Sequence, residues 1–409
     1  MSNRVPTYLV MVTAANNNKY YRMIPDGDYF DVEFGRVGAS CQKARYPMRD
    51  WDKKYKEKVK KGYVDQTDLM QDLVKEVKPK SEKEYRDIEN KAIKMIVDKL
   101  QDMAKKTIQK NYKVGAAETT QAMCDKAQAQ IDKMNNKADK MTLKTFNDEL
   151  IVLFGIIPRK MSNVSDHLCK NKDDFATILQ REQDLLDVMK GQVVVVSISD
   201  NEEDDSNNNE PSQTILEALG LVFEETTPEE DEHIKDLLEE SRGKFSKAWR
   251  VTNLKTQNRF DEFVEKENIK EIKELWHGSR NENWWSIINT GLVLRPVNVV
   301  ISGKMFGMGT YFAPRARKSI GYTSLSGSYW AGGRESKAYM AVMKVAYGKP
   351  YDVHSFDSKY YNFNYEKLQE AKKGANCLHA HAGKMLRNDE IIIYKEEQCT
   401  IEYLVEITN

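Results

Sequence analysis

The chain has 409 residues, 40% of them hydrophobic and 31% charged, a balance ordinary for a globular protein and long enough for two or three domains. Its longest apolar stretches, such as Leu9–Val12 and Val193–Val196, fall far short of the roughly 20 residues a bilayer crossing requires, and no charged lead into an apolar core reads as a secretory signal. Five scattered cysteines (Cys41, Cys124, Cys169, Cys377, Cys399) form no C-x-x-C pair, which argues for a reducing compartment and against a disulfide frame or zinc module.

The balance of 63 basic and 63 acidic residues hides a separation along the chain. Lys43 to Gly62 holds nine basic residues against three acidic ones, whereas the charged residues between Asp200 and Glu210 are all acids. That asymmetry suggests a polyanion partner for the N-terminal part and a solvated connector in the middle. The plainer alternative for the basic segment is a solvated helix face.

Residues 5 to about 40 read as short strands at Tyr8–Val12, Lys19–Ile24 and Tyr29–Phe34, continuing through Gly35-Arg36-Val37-Gly38, with a turn at Pro25-Asp26-Gly27-Asp28. A basic helix follows this small antiparallel sheet. Ser81-Glu82-Lys83-Glu84 has the pattern of a capping box, and Tyr85, Ile88, Ala92, Ile96, Leu100 and Met103 form an apolar stripe at helical spacing. A second helix is expected over Asp174–Met189, buried through Phe175, Ile178, Leu179, Leu185, Leu186 and Met189 and stopped by Gly191. Asp200–Ser212 has no large apolar residue and reads as a linker. Beyond Thr214 come strands at Leu221–Phe223, Ala248–Leu254, Tyr339–Val345 and Ile391–Tyr394. A last one alternates Ile401, Tyr403, Val405 and Ile407 with Glu402, Leu404 and Glu406.

The pattern lacks G-x-G-x-x-G after a first strand and G-x-x-x-x-G-K-[ST], so neither a Rossmann site nor a P-loop is indicated. Gly307-Met308-Gly309 reads first as a hairpin, His277 as a turn histidine, Tyr311 and Tyr322 as core aromatics. Their joint order changes that reading. Leu275-Trp276-His277-Gly278-Ser279-Arg280, Asn283-Trp284, Met305-Phe306-Gly307-Met308-Gly309-Thr310-Tyr311-Phe312-Ala313, Lys318-Ser319 with Tyr322, and Asn388-Asp389-Glu390 together resemble the catalytic domain of the poly(ADP-ribose) polymerases, over roughly residues 210 to 409.

The resemblance implies cleavage of NAD as co-substrate, with no metal, through an oxocarbenium-like transition state akin to that of glycosidases. It implies His277, Tyr311 and Glu390 as catalytic residues. His277 would fix a ribose hydroxyl, Gly278 and Ser319 would hold the nicotinamide amide, and Tyr311 and Tyr322 would stack on its ring. Ser279, Asn283 and Lys318 complete the implied NAD set. Glu390 would engage the ribose 2′-hydroxyl and stabilise the developing cation, help commonly worth roughly 3 to 4 kcal/mol. Histidine, tyrosine and glutamate together accompany chain elongation in that family. Met308, Lys304 and Pro314 depart from the usual lysine, aromatic and aspartate, on the acceptor or donor-loop side.

The N-terminal part is similar to a WGR domain through Phe34-Gly35-Arg36-Val37-Gly38 and the segment Lys54 to Tyr63, with phenylalanine where the name-giving tryptophan stands. That similarity implies DNA contacts by Phe34 and Arg36, joined in the basic run by Lys43 and Arg45. The expected architecture is therefore multidomain α+β. A small antiparallel β WGR-like domain spans 1–78, an α-helical regulatory domain 79–198, an acidic linker 199–213, and a mixed α/β ADP-ribosyltransferase domain built on antiparallel sheets 214–409. The implied activity is DNA-break-stimulated poly(ADP-ribosyl) transfer to protein acceptors and to the chain itself, in the nucleus of a eukaryote or otherwise in the cytoplasm. Mono-transfer, NAD hydrolysis, and a non-catalytic scaffold binding DNA ends are the alternatives.

Overall fold

A computed structural model describes residues 4–70, 85–113, 119–201, 213–294, 305–383 and 386–409. The expected capping box at Ser81–Glu84 and nearly all of the acidic connector lie outside these residues. The chain divides into two compact units, Met1–Lys83 with Lys105–Asp200, and Glu84–Ala104 with Asn201–Asn409.

The first unit opens with strands β1 (Thr7–Thr13), β2 (Asn17–Asp26), β3 (Tyr29–Arg36), β4 (Gln42–Pro47) and β5 (Val64–Asp65), in the order β4-β3-β2-β1-β5. All pairings are antiparallel. The expected turn falls at Gly27 and Asp28: β2 runs on through Pro25 and Asp26, and Gly27 takes φ +58°, a conformation open to glycine. Residues two apart share a face, so Leu9, Tyr21, Met23, Phe30 and Val32 form one core. The basic helix Trp51–Lys60 closes it with Trp51, edge-on to Phe30 at 5.0 Å between ring centroids. Strand β4 is exposed or half-exposed throughout and has no apolar alternation, so no sequence pattern marks it.

Helices Gln121–Lys137, Leu143–Ile156 and Phe175–Asn201 belong to the same unit. The first two are capped by Thr120 and Thr142, whose hydroxyls accept from the backbone of Met123 and Thr145. The third does not stop at Gly191. Gly191 is buried and Val193 continues the apolar stripe, so packing outweighs the helix-breaking tendency of one glycine. The stripe from Tyr85 likewise begins late: the helix is Lys91–Asn111, and Asn90 accepts from the amides of Ala92 and Ile93 at its start.

The second unit holds two sheets. Strands β6 (Leu221–Glu225), β7 (Phe245–Asn253), β8 (Ile272–Gly278), β10 (Lys337–Ala346) and β14 (Cys399–Thr408) form one, ordered β6-β7-β14-β10-β8. Strands β9 (Thr310–Phe312), β11 (Pro350–Val353), β12 (Cys377–Ala380) and β13 (Glu390–Ile393) form the other, ordered β11-β12-β13-β9. Every pairing is antiparallel except β11 with β12. Strand β7 ends at Asn253 rather than Leu254, because the Asn253 side chain accepts from Lys255 and Thr256 and starts helix Leu254–Lys266.

The expected alternation in β14 is only half of its story. As a central strand it is buried on both faces, and Glu402 and Glu406 are inside too. Glu406 survives there because Lys337 and Ser246 each approach it at 2.8 Å and the Tyr339 hydroxyl at 3.0 Å, with Lys99 at 3.4 Å. Burial pushes its carboxyl up, but these partners overcome that and hold it at about 2.

Candidate active site

The two sheets of the second unit meet where Trp276 of β8 and Ala313, just past β9, exchange both backbone hydrogen bonds, at 2.9 and 3.0 Å. This stitch sets the orientation of everything around it. Backbone groups of residues two apart on a strand point the same way. Because Trp276 directs its N–H and C=O away from β10, Gly278 does so as well, and presents a donor and an acceptor side by side at the end of β8.

His277 sits between them. Its Nδ1 lies 3.1 Å from the Tyr311 carbonyl, so Nδ1 carries the proton and donates, leaving Nε2 as an acceptor. Burial pushes the imidazole below its ordinary range, opposed by the Tyr311 carbonyl, and the neutral tautomer is the resting state. Phe312 and Trp284 flank the ring at 5.8 and 6.4 Å between centroids.

Tyr311 commits its hydroxyl to the turn before it, accepting from Phe306 N at 2.9 Å and donating to Gly307 O at 3.1 Å. Gly307 takes φ +75°, and a side chain there would overlap the Phe363 backbone. Gly307-Met308-Gly309 is a tight turn leading into β9, which pairs with β13, and that turn locks the Tyr311 ring. Tyr311 pairs with Ile392 on β13, and Glu390, two residues earlier, emerges on the same face.

Glu390 is 5% exposed. Its Oε1 is in contact with the Lys318 ammonium, and its Oε2 is buried with no hydrogen-bond partner. Burial pushes Lys318 down to about 8. Lys318 and Ser319 lie on the short helix Ala316–Ile320. The Ser319 hydroxyl donates to Trp276 O at 3.1 Å, and its carbonyl lies so close to Gly278 that a Cβ there would overlap it. The contacts thus close on themselves, from His277 to Tyr311, across β9 and β13 to Glu390, on to Lys318 and Ser319, and back to Gly278.

Tyr322 follows this helix, and its phenol helps raise the pKa of Tyr311, after burial, the larger cause. Trp330 stacks on the Tyr322 ring at 6.0 Å and 15°, a partner the sequence reading missed, eight residues on in the chain and beside the aromatic Tyr329. Asn283 donates to the Ser279 hydroxyl at 3.0 Å, while its own Oδ1 is buried without a partner. Lys304 lies outside the described residues, and Met308 donates its amide to Phe363 O at 2.8 Å.

The N-terminal expectations fare differently. Phe34 packs on Tyr21 at 5.8 Å as part of the first core. Arg36 offers no free guanidinium: it bonds Asn16 O and Oδ1 and the carbonyls of Met161 and Ser162, between 2.7 and 3.0 Å. Lys43 is paired with Glu33 at 2.9 Å, and Arg45 with Asp26 and Asp31 at 2.5 and 3.1 Å. Arg36, Lys43 and Arg45, expected to contact DNA, are thus each paired within the chain, Arg36 with carbonyls and the Asn16 side chain, Lys43 and Arg45 with carboxylates.

The second unit's paired sheets thus bring together an imidazole, phenols, a lysine and a buried carboxylate. Residues 229–409 match the family model of the poly(ADP-ribose) polymerase catalytic domain. The chain is 34% identical over 216 residues to "Uncharacterized protein 101L" of Invertebrate iridescent virus 6, covering 53% of this chain and 88% of that one. It is 30% identical over 189 residues to "Putative poly [ADP-ribose] polymerase-like 100L" of the same virus, covering 46% of this chain and 98% of the relative. With "Poly [ADP-ribose] polymerase 2-B" of Oryza sativa subsp. japonica it shares 34% over 133 residues, 31% of this chain and 20% of that protein. The chain belongs to the poly(ADP-ribose) polymerase catalytic-domain family, and that domain implies an ADP-ribosyltransferase using NAD as co-substrate. Among the described residues, no helix is long and apolar enough to cross a membrane.

Proposed function

We propose that this protein cleaves the nicotinamide–ribose bond of NAD and builds poly(ADP-ribose) on protein acceptors, itself included, in response to DNA ends. The observation that carries the reading is Glu390 Oε2, a buried carboxylate oxygen without a partner beside the His277 and Tyr311 pair. An unsatisfied buried acceptor costs about 1–3 kcal/mol, and a ribose hydroxyl donating to it recovers that cost on binding.

The nicotinamide amide takes the outward N–H and C=O of Gly278 and the Ser319 hydroxyl, and its ring lies against Tyr311 and Tyr322. Nε2 of neutral His277 accepts from a ribose hydroxyl, and Ser279 and Asn283 line the same end of β8. As the glycosidic bond breaks, electrons leave with nicotinamide, positive charge grows on the ribose, and the Glu390 carboxylate stabilises it. Lys318, in contact with Oε1 of Glu390, moves off it when the ribose arrives. The same carboxylate orients the hydroxyl of an acceptor ribose, which favours elongation over single transfer.

For the DNA part, the support is the basic helix Trp51–Lys60. Lys53, Lys56 and Lys60 are exposed at spacings of three and four, hence on one face. These three join Phe34, Arg36, Lys43 and Arg45 as the DNA contacts of the proposal. The acceptors proposed within the chain, Glu202, Glu203 and Ser206, lie outside the described residues. The test is transfer of label from NAD with and without nicked, 5′-phosphorylated DNA. Stimulation that is lost in the triple Lys→Glu variant at 53, 56 and 60 supports the reading, and equal rates with and without DNA remove its DNA part.

A further inference from the structure

Three of the chain's six histidines gather on one face of the smaller sheet, away from the residues assigned above. Asp352 and His354 leave β11 and its end two residues apart, and His379 and His381 do the same from β12. Because β11 and β12 are parallel with Asp352 opposite His379, this D-x-H and H-x-H pair falls on a single face, while Val353, Leu378 and Ala380 turn into the core behind it.

The imidazoles pack face to face, His379 on His381 at 3.9 Å and 20°, His354 on His381 at 4.4 Å and 13°. The stack brings the three rings, and the carboxylate opposite them, into one compact cluster. Asp352 Oδ1 is 2.8 Å from His381 Nε2, and ligand atoms of Asp352, His379 and His381 all lie within 4.8 Å of one another.

We propose that Asp352, His379 and His381 form a binding site for a divalent transition metal of the zinc class. Two imidazoles and one carboxylate are a borderline-soft donor set that suits zinc and disfavours magnesium or calcium, and three protein ligands leave a fourth position for water. Metal–ligand bonds of about 2.0–2.1 Å place tetrahedral ligand atoms roughly 3.3 Å apart, within reach of small rotamer changes here. The surrounding contacts fit the same role. His379 is held at both nitrogens, Nδ1 by the Tyr347 hydroxyl at 2.8 Å and Nε2 by Asp389 at 2.9 Å. A metal that takes one nitrogen leaves the other on its partner, the arrangement that orients metal-bound imidazoles. Asp389 is further fixed by the Ala382 amide at 2.7 Å. The site runs against the expectation of no metal, and it stands independently of the transferase reading.

The test is zinc binding to the full chain after chelator treatment, measured by calorimetry, with cobalt(II) as a visible-absorbing substitute. Cys41, an exposed free thiol, is replaced by serine in the background so that it does not compete. One equivalent is expected, with affinity at least 10-fold weaker in His381→Ala and in Asp352→Ala, and no binding in the double variant. Should His381→Ala fail to fold by its thermal melt, Asp352→Asn, at an exposed position, gives the same readout. No stoichiometric binding to the Cys41→Ser chain, or binding unchanged in the Asp352 variants, overturns the proposal.

Discussion

The ammonium of Lys318 lies against Oε1 of Glu390 in a pair whose side chains are 14% and 7% exposed. Removing one member of such a pair strands the other, which is worse than removing both. Glu390→Gln and Lys318→Met should each destabilise the protein, and the double variant should lose less than the sum, with a coupling of about 1–3 kcal/mol. Denaturant unfolding of the four proteins measures it. Additive losses would show that the two side chains do not support each other.

The His277 tautomer sets an acid limit. Burial depresses its folded pKa, so the neutral, accepting ring persists as pH falls past the ordinary value of 6.5. The expected kcat/KM profile is flat from pH 7 to below 6.5 and drops only at lower pH, when protonation turns Nε2 from acceptor to donor. Stability linked to this residue runs the same way, lost as pH falls below the unfolded value. A profile that bends above 6.5 contradicts the assignment.

Gly278 has no room for a side chain because the Ser319 carbonyl is against it, whereas at Gly155, in helix Leu143–Ile156, a Cβ would meet nothing within 4 Å. Gly278→Ala should therefore abolish NAD cleavage and lower the melting temperature. Gly155→Ala should raise stability by about 0.5–1 kcal/mol with activity unchanged. Thermal melts and nicotinamide release on both variants decide the matter.

Much of this was legible in the chain. Strands β6, β7, β10, β13 and β14 were visible because β-branched and aromatic runs announce them, whereas β8, β9, β11 and β12 were not, and His277 lies at the end of β8 rather than in a turn. What escaped was of three physical kinds. Burial of Glu402 and Glu406 depends on β14 being central, and the partners of Glu406 come from residues 99, 246, 337 and 339, far apart in sequence. The tether of Arg36 to the carbonyls of Met161 and Ser162 is invisible to any local pattern. The D-x-H and H-x-H pairs become a cluster only through the parallel register of β11 and β12, the one departure from antiparallel pairing among the described strands.

Glu406 makes a separate prediction about acid stability. Its partners lower its pKa from 4.5 to about 2, so the stabilisation is fully present above the unfolded value and is lost as pH falls through the folded one. The difference in unfolding free energy between wild type and Glu406→Gln should be about 3 kcal/mol at pH 7 and shrink between pH 4.5 and 2. A difference independent of pH would place the effect in packing rather than charge.

The most direct test of the central claim uses NAD labelled in its adenylate half, the purified full chain with DNA ends, and the Glu390→Gln variant. The account predicts label on protein as a heterogeneous, slowly migrating smear with free nicotinamide released. It also predicts a loss of roughly 10²–10³-fold in elongation for the variant, with its fold retained. Free ADP-ribose without labelled protein, or a variant as active as the wild type, would contradict it.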